Sequence, residues 1–143
     1  MESTRPTVLV VDDDDIVLDM LARVLEHFGF TVIAENDALQ ALSTLEECDD
    51  IAVLVCDFEM PRLNGEQLAR AAKTRRPNLP VFIVSGAHPP ELSSVPWDAW
   101  FLKGAATTDL IKKLQAIPSL QRENHKLGLC EPHNNTSSLP VGR

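Results

Sequence analysis

Short runs of consecutive apolar residues alternate in this chain with stretches whose apolar positions recur every three or four residues. Residues 8–11 (Val-Leu-Val-Val) and 51–56 (Ile-Ala-Val-Leu-Val-Cys) are apolar throughout. Runs of this length, rich in β-branched side chains, predict strands buried on both faces, the condition of a parallel sheet. Residues 30–34, 80–84 and 100–102 read as three further strands. Between the first two, Val17, Met20, Leu21, Val24, Leu25 and Phe28 follow helical spacing, and Gly29 stands where a C-terminal cap is expected. Asp37 predicts the N-cap of a second helix burying Leu39, Leu42 and Leu45. Leu68, Ala69 and Ala72 line a third helix that follows Gly65 and ends before Pro77. Thr107 or Thr108 caps a last one, with Leu110, Ile111 and Leu114 inward and Pro118 as its stop.

The resulting order is βαβαβαβ, an irregular segment, then βα. It predicts an α/β fold: a parallel sheet with helices on both faces and right-handed crossovers. The chain has no internal repeat. After residue 118 the periodicity fades, and residues 131–143 are rich in Pro, Asn, Ser and Gly. Residues 1–118 are therefore expected to form one domain, and 119–143 an extension with a short helix at most and then a flexible tail. Leu120 and Leu127 around Asn124 could prolong the last helix into a short dimer seam, so a monomer or weak dimer is expected.

Composition narrows the partners. At 143 residues the chain is long enough for a sizeable core. Its 13 basic against 21 acidic residues give a net charge of −8, which counts against direct nucleic-acid binding and favours basic or metal-bearing partners. The three cysteines are scattered, without metal-ligand spacing. Residues 1–7 lack the apolar region of a secretion signal, and no apolar run approaches the roughly 20 residues of a membrane span. The expectation is a cytoplasmic protein with no membrane contact.

The candidate chemistry lies at the strand ends. The first strand runs into Asp12-Asp13-Asp14-Asp15 and the third into Asp57. Acids at the carboxyl ends of parallel strands converge in the crevice where open α/β sheets bind ligands. There they repel one another unless a cation or proton neutralises them. Asp14 and Asp15 are accounted for by the dipole of the helix they begin, but Asp12 and Asp13 directly continue an apolar strand. Magnesium prefers oxygen ligands, and Asp12 or Asp13 with Asp57 would supply them. A carboxylate such as Asp57 can also attack phosphorus to form an aspartyl phosphate. Ser85 and Lys103 end the fourth and fifth strands. Taken alone, Ser85 before Gly86 is a turn residue and Lys103 a solvated lysine. Together with the acids they place a hydroxyl and an ammonium where phosphoryl oxygens need partners.

With these residues on four strand ends, the chain resembles the receiver domain of two-component response regulators over roughly residues 7–117. The resemblance rests on residues 8–13, on Asp57-Phe58-Glu59-Met60-Pro61 with Gly65, on Ser85 and on Lys103. It implies a flavodoxin-like (βα)5 receiver fold with strand order 2-1-3-4-5. It also implies that Asp57 accepts a phosphoryl group from a histidine kinase or histidine phosphotransfer protein. Asp13 would bind Mg2+ directly, Asp12 mainly through water, and the main-chain carbonyl of Glu59 would complete the metal ligands with Asp57. Ser85 would sense the phosphoryl group and Lys103 pair with it. Output would be a contact with an unknown downstream protein.

Three departures from the family matter. Gly104 stands where a proline after a cis peptide is usual, and predicts an ordinary trans bond. The interval from Ser85 to Lys103 is several residues short and holds Pro89, Pro90 and Pro96, so the fourth helix should be shortened or absent. Trp100 occupies the position of the aromatic switch residue and reads equally as cover for the core; Trp97 would partly fill the vacated space. Two other functions use similar residues. A haloacid dehalogenase-type phosphatase also has a strand-end aspartate nucleophile, and a receiver-like module that is never phosphorylated would keep the fold alone.

Overall fold

The structure, a computed structural model, describes residues 7–92, 94–104 and 107–117. Five parallel strands, β1 (Thr7–Val11), β2 (Thr31–Glu35), β3 (Ile51–Asp57), β4 (Val81–Ser85) and β5 (Ala99–Leu102), form one sheet in the order β2-β1-β3-β4-β5. Four helices connect or follow them: α1 (Asp15–His27), α2 (Ala38–Glu47), α3 (Gly65–Arg75) and α4 (Thr107–Gln115). This is the expected flavodoxin-like arrangement. The extension 119–143, with the seam around Asn124, lies outside the described residues. No helix among the described residues is long and apolar enough to cross a membrane.

Alternation along each strand divides the core. Leu9, Val11, Ile33, Leu54 and Ile83 face the side covered by α2 and α3, whereas Val8, Val10, Val53, Val55 and Phe82 meet Leu18 and Leu25 of α1 and Leu110 and Leu114 of α4. Asp14 caps α1, its carboxylate accepting from the N–H groups of Ile16 and Val17, and Gly29 follows the helix at a φ of +96°. Asp37 caps α2 as expected, and Asn64 with Gln67 forms a capping box on α3. Thr107 and Thr108 both lie inside the first turn of α4 rather than before it.

Two helix faces differ from the sequence reading. In α1 the buried residues are Leu18 and Leu25, while Met20, and Phe28 at the C-cap, are 56% and 49% exposed. In α2, Ala38, Ala41 and Leu45 are buried and Leu39 points outward. Each helix carries more apolar residues than one stripe holds, and packing on the sheet selects among them.

No helix connects β4 to β5 among the described residues of 86–98. The segment is fastened to α3 instead: Arg70 Nη2 donates to the Ser94 carbonyl at 3.2 Å, and Lys73 Nζ lies 2.8 Å from Asp98 Oδ2. The same Asp98 oxygen accepts from the Val81 N–H at 2.8 Å, while the Asp98 N–H donates to the Val81 carbonyl at 2.7 Å. A side chain thus completes a strand pairing. Asp98→Ala is expected to destabilise the fold by about 1–3 kcal/mol, since the Val81 N–H at the edge of the core loses its acceptor. Asp98→Asn keeps a carbonyl oxygen there and loses mainly an exposed ion pair, about 0.2–1 kcal/mol. Urea denaturation separates the two, and equal midpoints for wild type and Asp98→Ala would refute the role.

Candidate functional site

Strand register brings the candidate residues together. Val11 pairs with Cys56 across β1 and β3, Asp57 with Val84 across β3 and β4, and Ser85 with Leu102 across β4 and β5. Asp12, Asp57, Ser85 and Lys103 therefore stand along one edge of the sheet, at its carboxyl end. Asp12, Asp57 and Ser85 are buried, at 4%, 7% and 2% exposure, whereas Asp13 is exposed. The apolar runs 8–11 of β1 and 51–56 of β3 drive this burial, because helices cannot cover them on both faces without carrying Asp12 and Asp57 inward.

Lys103 Nζ lies 3.1 Å from Asp12 Oδ2 and 3.2 Å from Asp57 Oδ1. The other Asp12 oxygen accepts from the Asp14 N–H at 2.9 Å. Burial, and next the Asp12 carboxylate, raise the Asp57 carboxyl above its ordinary value, an effect that Lys103 only partly offsets. Burial alone would lower the Lys103 ammonium, but its two carboxylate partners outweigh that and raise it. Both members of the pair move upward: Asp57 because burial and then Asp12 outweigh one ammonium, and Lys103 because two carboxylates outweigh its burial. Burial also holds the Cys56 thiol far up and therefore protonated, which leaves it no part in the site.

One oxygen from each of Asp12, Asp13 and Asp57 lies within 4.8 Å of the others. Three carboxylates against the one ammonium leave two negative charges, presented by hard oxygen donors. That donor set suits Mg2+ and would be a poor site for a soft metal. The residues present therefore fit the cation that the fold family implies.

The Glu59 side chain is exposed, two residues past Asp57. The loop between them and α3 includes Arg62, whose φ of +74° is uncommon for a residue with a side chain, and which lies 3.8 Å from Asp37. At its end the Gly65 N–H donates to the Phe58 carbonyl at 2.6 Å, closing the loop over Asp57.

An aromatic cluster adjoins the acids. Phe58 packs against Trp100 and Trp97 with ring centroids 5.2 and 6.1 Å away, and the two tryptophans lie 5.0 Å apart. Trp97 and Trp100 cover the α2/α3 side of the core in the place of a fourth helix, as the sequence suggested for Trp97. Trp100 Nε1 also donates to the Ala87 carbonyl at 2.8 Å, and the Ala87 N–H donates to Ser85 Oγ at 3.2 Å. Residue type alone points to Ser85 and Trp100 separately. Their link through Ala87 is a main-chain contact that leaves no mark on residue type.

The response regulator receiver domain model matches residues 8–96, ending before Lys103. A protein of Arabidopsis thaliana named as a two-component response regulator is 37% identical over 137 residues, covering 94% of this chain and 22% of its own length. The chain spans about a quarter or less of the length of such curated relatives. Among solved structures, a CheY-like receiver domain protein from Methanospirillum hungatei is 27% identical with a TM-score of 0.71, over 78% of this chain and 92% of that one. A response regulator from Thermotoga maritima, solved in complex with Mg2+ and BeF, has a TM-score of 0.73 at 20% identity, over 80% of this chain and 99% of that one. At that identity it speaks for the fold alone.

Proposed function

The chain belongs to the response regulator receiver domain family, and on that premise we propose that Asp57 accepts a phosphoryl group from a histidine kinase or histidine phosphotransfer protein in a Mg2+-dependent reaction. The observation that carries the reading is the Asp57 carboxylate itself. It is buried at the end of the central strand, beside Asp12, with the Lys103 ammonium within reach of both. A lone pair of an Asp57 oxygen forms the new O–P bond, and the electrons of the breaking P–N bond return to the donor's imidazole. Lys103 already faces the oxygens that change charge and pairs with the incoming phosphoryl group as a point charge. Ser85 offers a hydroxyl one strand away, buried and so shielded from competition by water. Asp12, Asp13, Asp57 and the Glu59 main-chain carbonyl would hold a Mg2+ ion, which would supply the positive charge that a transferred phosphoryl group requires.

Output on this reading is a protein–protein contact in the cytoplasm by a phosphoacceptor that assists its own phosphorylation and dephosphorylation. The unit is residues 1–118, with 119–143 as an extension, as a monomer or weak dimer. The phosphatase and never-phosphorylated alternatives are not favoured by the family match. Incubation with a small-molecule phosphodonor and Mg2+ tests the assignment. One hydroxylamine-labile phosphoryl group per chain is expected, and a wild type that never labels removes the reading. Steady turnover of a phosphomonoester would instead support the phosphatase.

Trp100 is the proposed switch, coupled to Ser85 through Ala87 and to the residue after Asp57 through Phe58. Phosphorylation should therefore alter residues 86–98 more than any helix. Hydrogen exchange with and without a phosphoryl mimic is expected to differ chiefly there, and identical exchange in that segment would sink the coupling.

A further inference from the structure

We infer that Gly104 is the positioning residue that sets the Lys103 ammonium between Asp12 and Asp57. Lys103 leaves β5 with its backbone already fixed on one side, since its N–H donates to the Ser85 carbonyl at 2.8 Å. On the other side Gly104 has a φ of +91°, and no peptide bond among the described residues is cis. A Cβ built at position 104 meets nothing within 4 Å. Space therefore does not demand glycine here; backbone conformation does. A residue with a side chain is strained at that angle, and with no contact among the described residues to hold it there the strain is relieved by rotating the backbone next to Lys103. Such a rotation swings the base of the lysine, and its ammonium can no longer sit at 3.1 and 3.2 Å from two carboxylates on different strands.

The consequence is a split that general damage does not produce. The ammonium offsets the charge of Asp12 and Asp57, two of the three carboxylates that a divalent cation would use, so displacing it strengthens Mg2+ binding. The same displacement removes the partner of the phosphoryl group, so labelling slows. The second effect rests on the phosphoacceptor reading, and the first does not.

The test uses the full chain as wild type, Gly104→Ala, Gly104→Asn, Lys103→Met and the Gly104→Ala/Lys103→Met double variant. Mg2+ affinity is read by tryptophan fluorescence or calorimetry, and labelling by an acyl phosphate donor. Gly104→Ala is expected to bind Mg2+ about fivefold more tightly and to label about fivefold more slowly. Asparagine accepts the left-handed region more readily than alanine, so Gly104→Asn should restore most of both properties. In the Lys103→Met background the alanine substitution should change nothing further, because its effect acts through the lysine. The inference is overturned if Gly104→Ala leaves both properties unchanged, if both fall together, or if its effect persists without Lys103. A wild type that never labels defeats the phosphoacceptor reading instead, and the Mg2+ cycle still decides the role of Gly104.

Discussion

Asp57→Asn is expected to lose phosphoryl labelling completely while the folded protein becomes more stable in metal-free buffer. The loss follows from chemistry: the amide is uncharged, its oxygen is a far weaker nucleophile, and no other carboxylate shares its position. Asp12 is the nearest buried acid, but one oxygen is held by the Asp14 N–H and the other by Lys103. The gain in stability follows from electrostatics. Burial, then the Asp12 carboxylate, lift the Asp57 carboxyl above its ordinary value, so the folded state disfavours the ionised form. An acid raised on folding contributes stability below its unfolded value and loses it as pH climbs through the folded value; near neutrality the charge is a net burden. Asparagine removes that charge at nearly constant shape. The sign should reverse when Mg2+ is added, because the cation binds the folded wild type and finds fewer anionic donors in the variant. Thermal unfolding with EDTA and with Mg2+, run beside the labelling assay, checks all three statements. Retained labelling in Asp57→Asn would place the phosphoryl group elsewhere. A variant less stable than wild type in EDTA would show that the Lys103 pair outweighs the repulsion.

The acids are legible in the sequence because an uninterrupted apolar run ending in aspartate carries a charge to the rim of the core, where burial without a purpose is costly. β1 and β3 are buried on both faces, so their sequences carry no alternation to misread, and their ends are marked by the change to charge. The missing helix is equally legible, since three prolines in a short interval forbid it locally. Helix faces are not. Ile16, Val17, Leu18, Met20 and Leu21 are all apolar, and only contact with the sheet determines that Leu18 goes inward and Ile16 stays 80% exposed. Asp98 and Ala87 are hidden for another reason. Both act through hydrogen bonds with groups distant in sequence, and neither residue type advertises such a bond. Gly104 stands out in the sequence only as a departure from the family; its conformation and the open space around it exist only in three dimensions.

Gly65→Ala is expected to be the most damaging conservative substitution near the site. A Cβ at that position would sit 2.7 Å from the Asp57 carbonyl oxygen and 2.7 Å from the Phe58 Cα, with the Ile83 side chain at 3.3 Å. The first two contacts are backbone, so no rotamer change can relieve them. Either α3 withdraws from β3 or the chain between them bends. Both responses break the Gly65 N–H bond to the Phe58 carbonyl and disturb a helix start that Asn64 and Gln67 otherwise cap. Forced overpacking of this kind costs about 1–3 kcal/mol, and the lost hydrogen bond about 0.5–1.5 kcal/mol more. Gly86→Ala is the control, because a Cβ there meets nothing within 4 Å; it should stay within about 0.5 kcal/mol of wild type. Denaturation midpoints give the stability comparison. The functional one is sharper: the clash falls on the backbone of Asp57 and Phe58 themselves, so labelling of the still-folded fraction of Gly65→Ala should fall as well. If that fraction labels at the wild-type rate, the loop yields without moving Asp57, and the close approach serves packing alone.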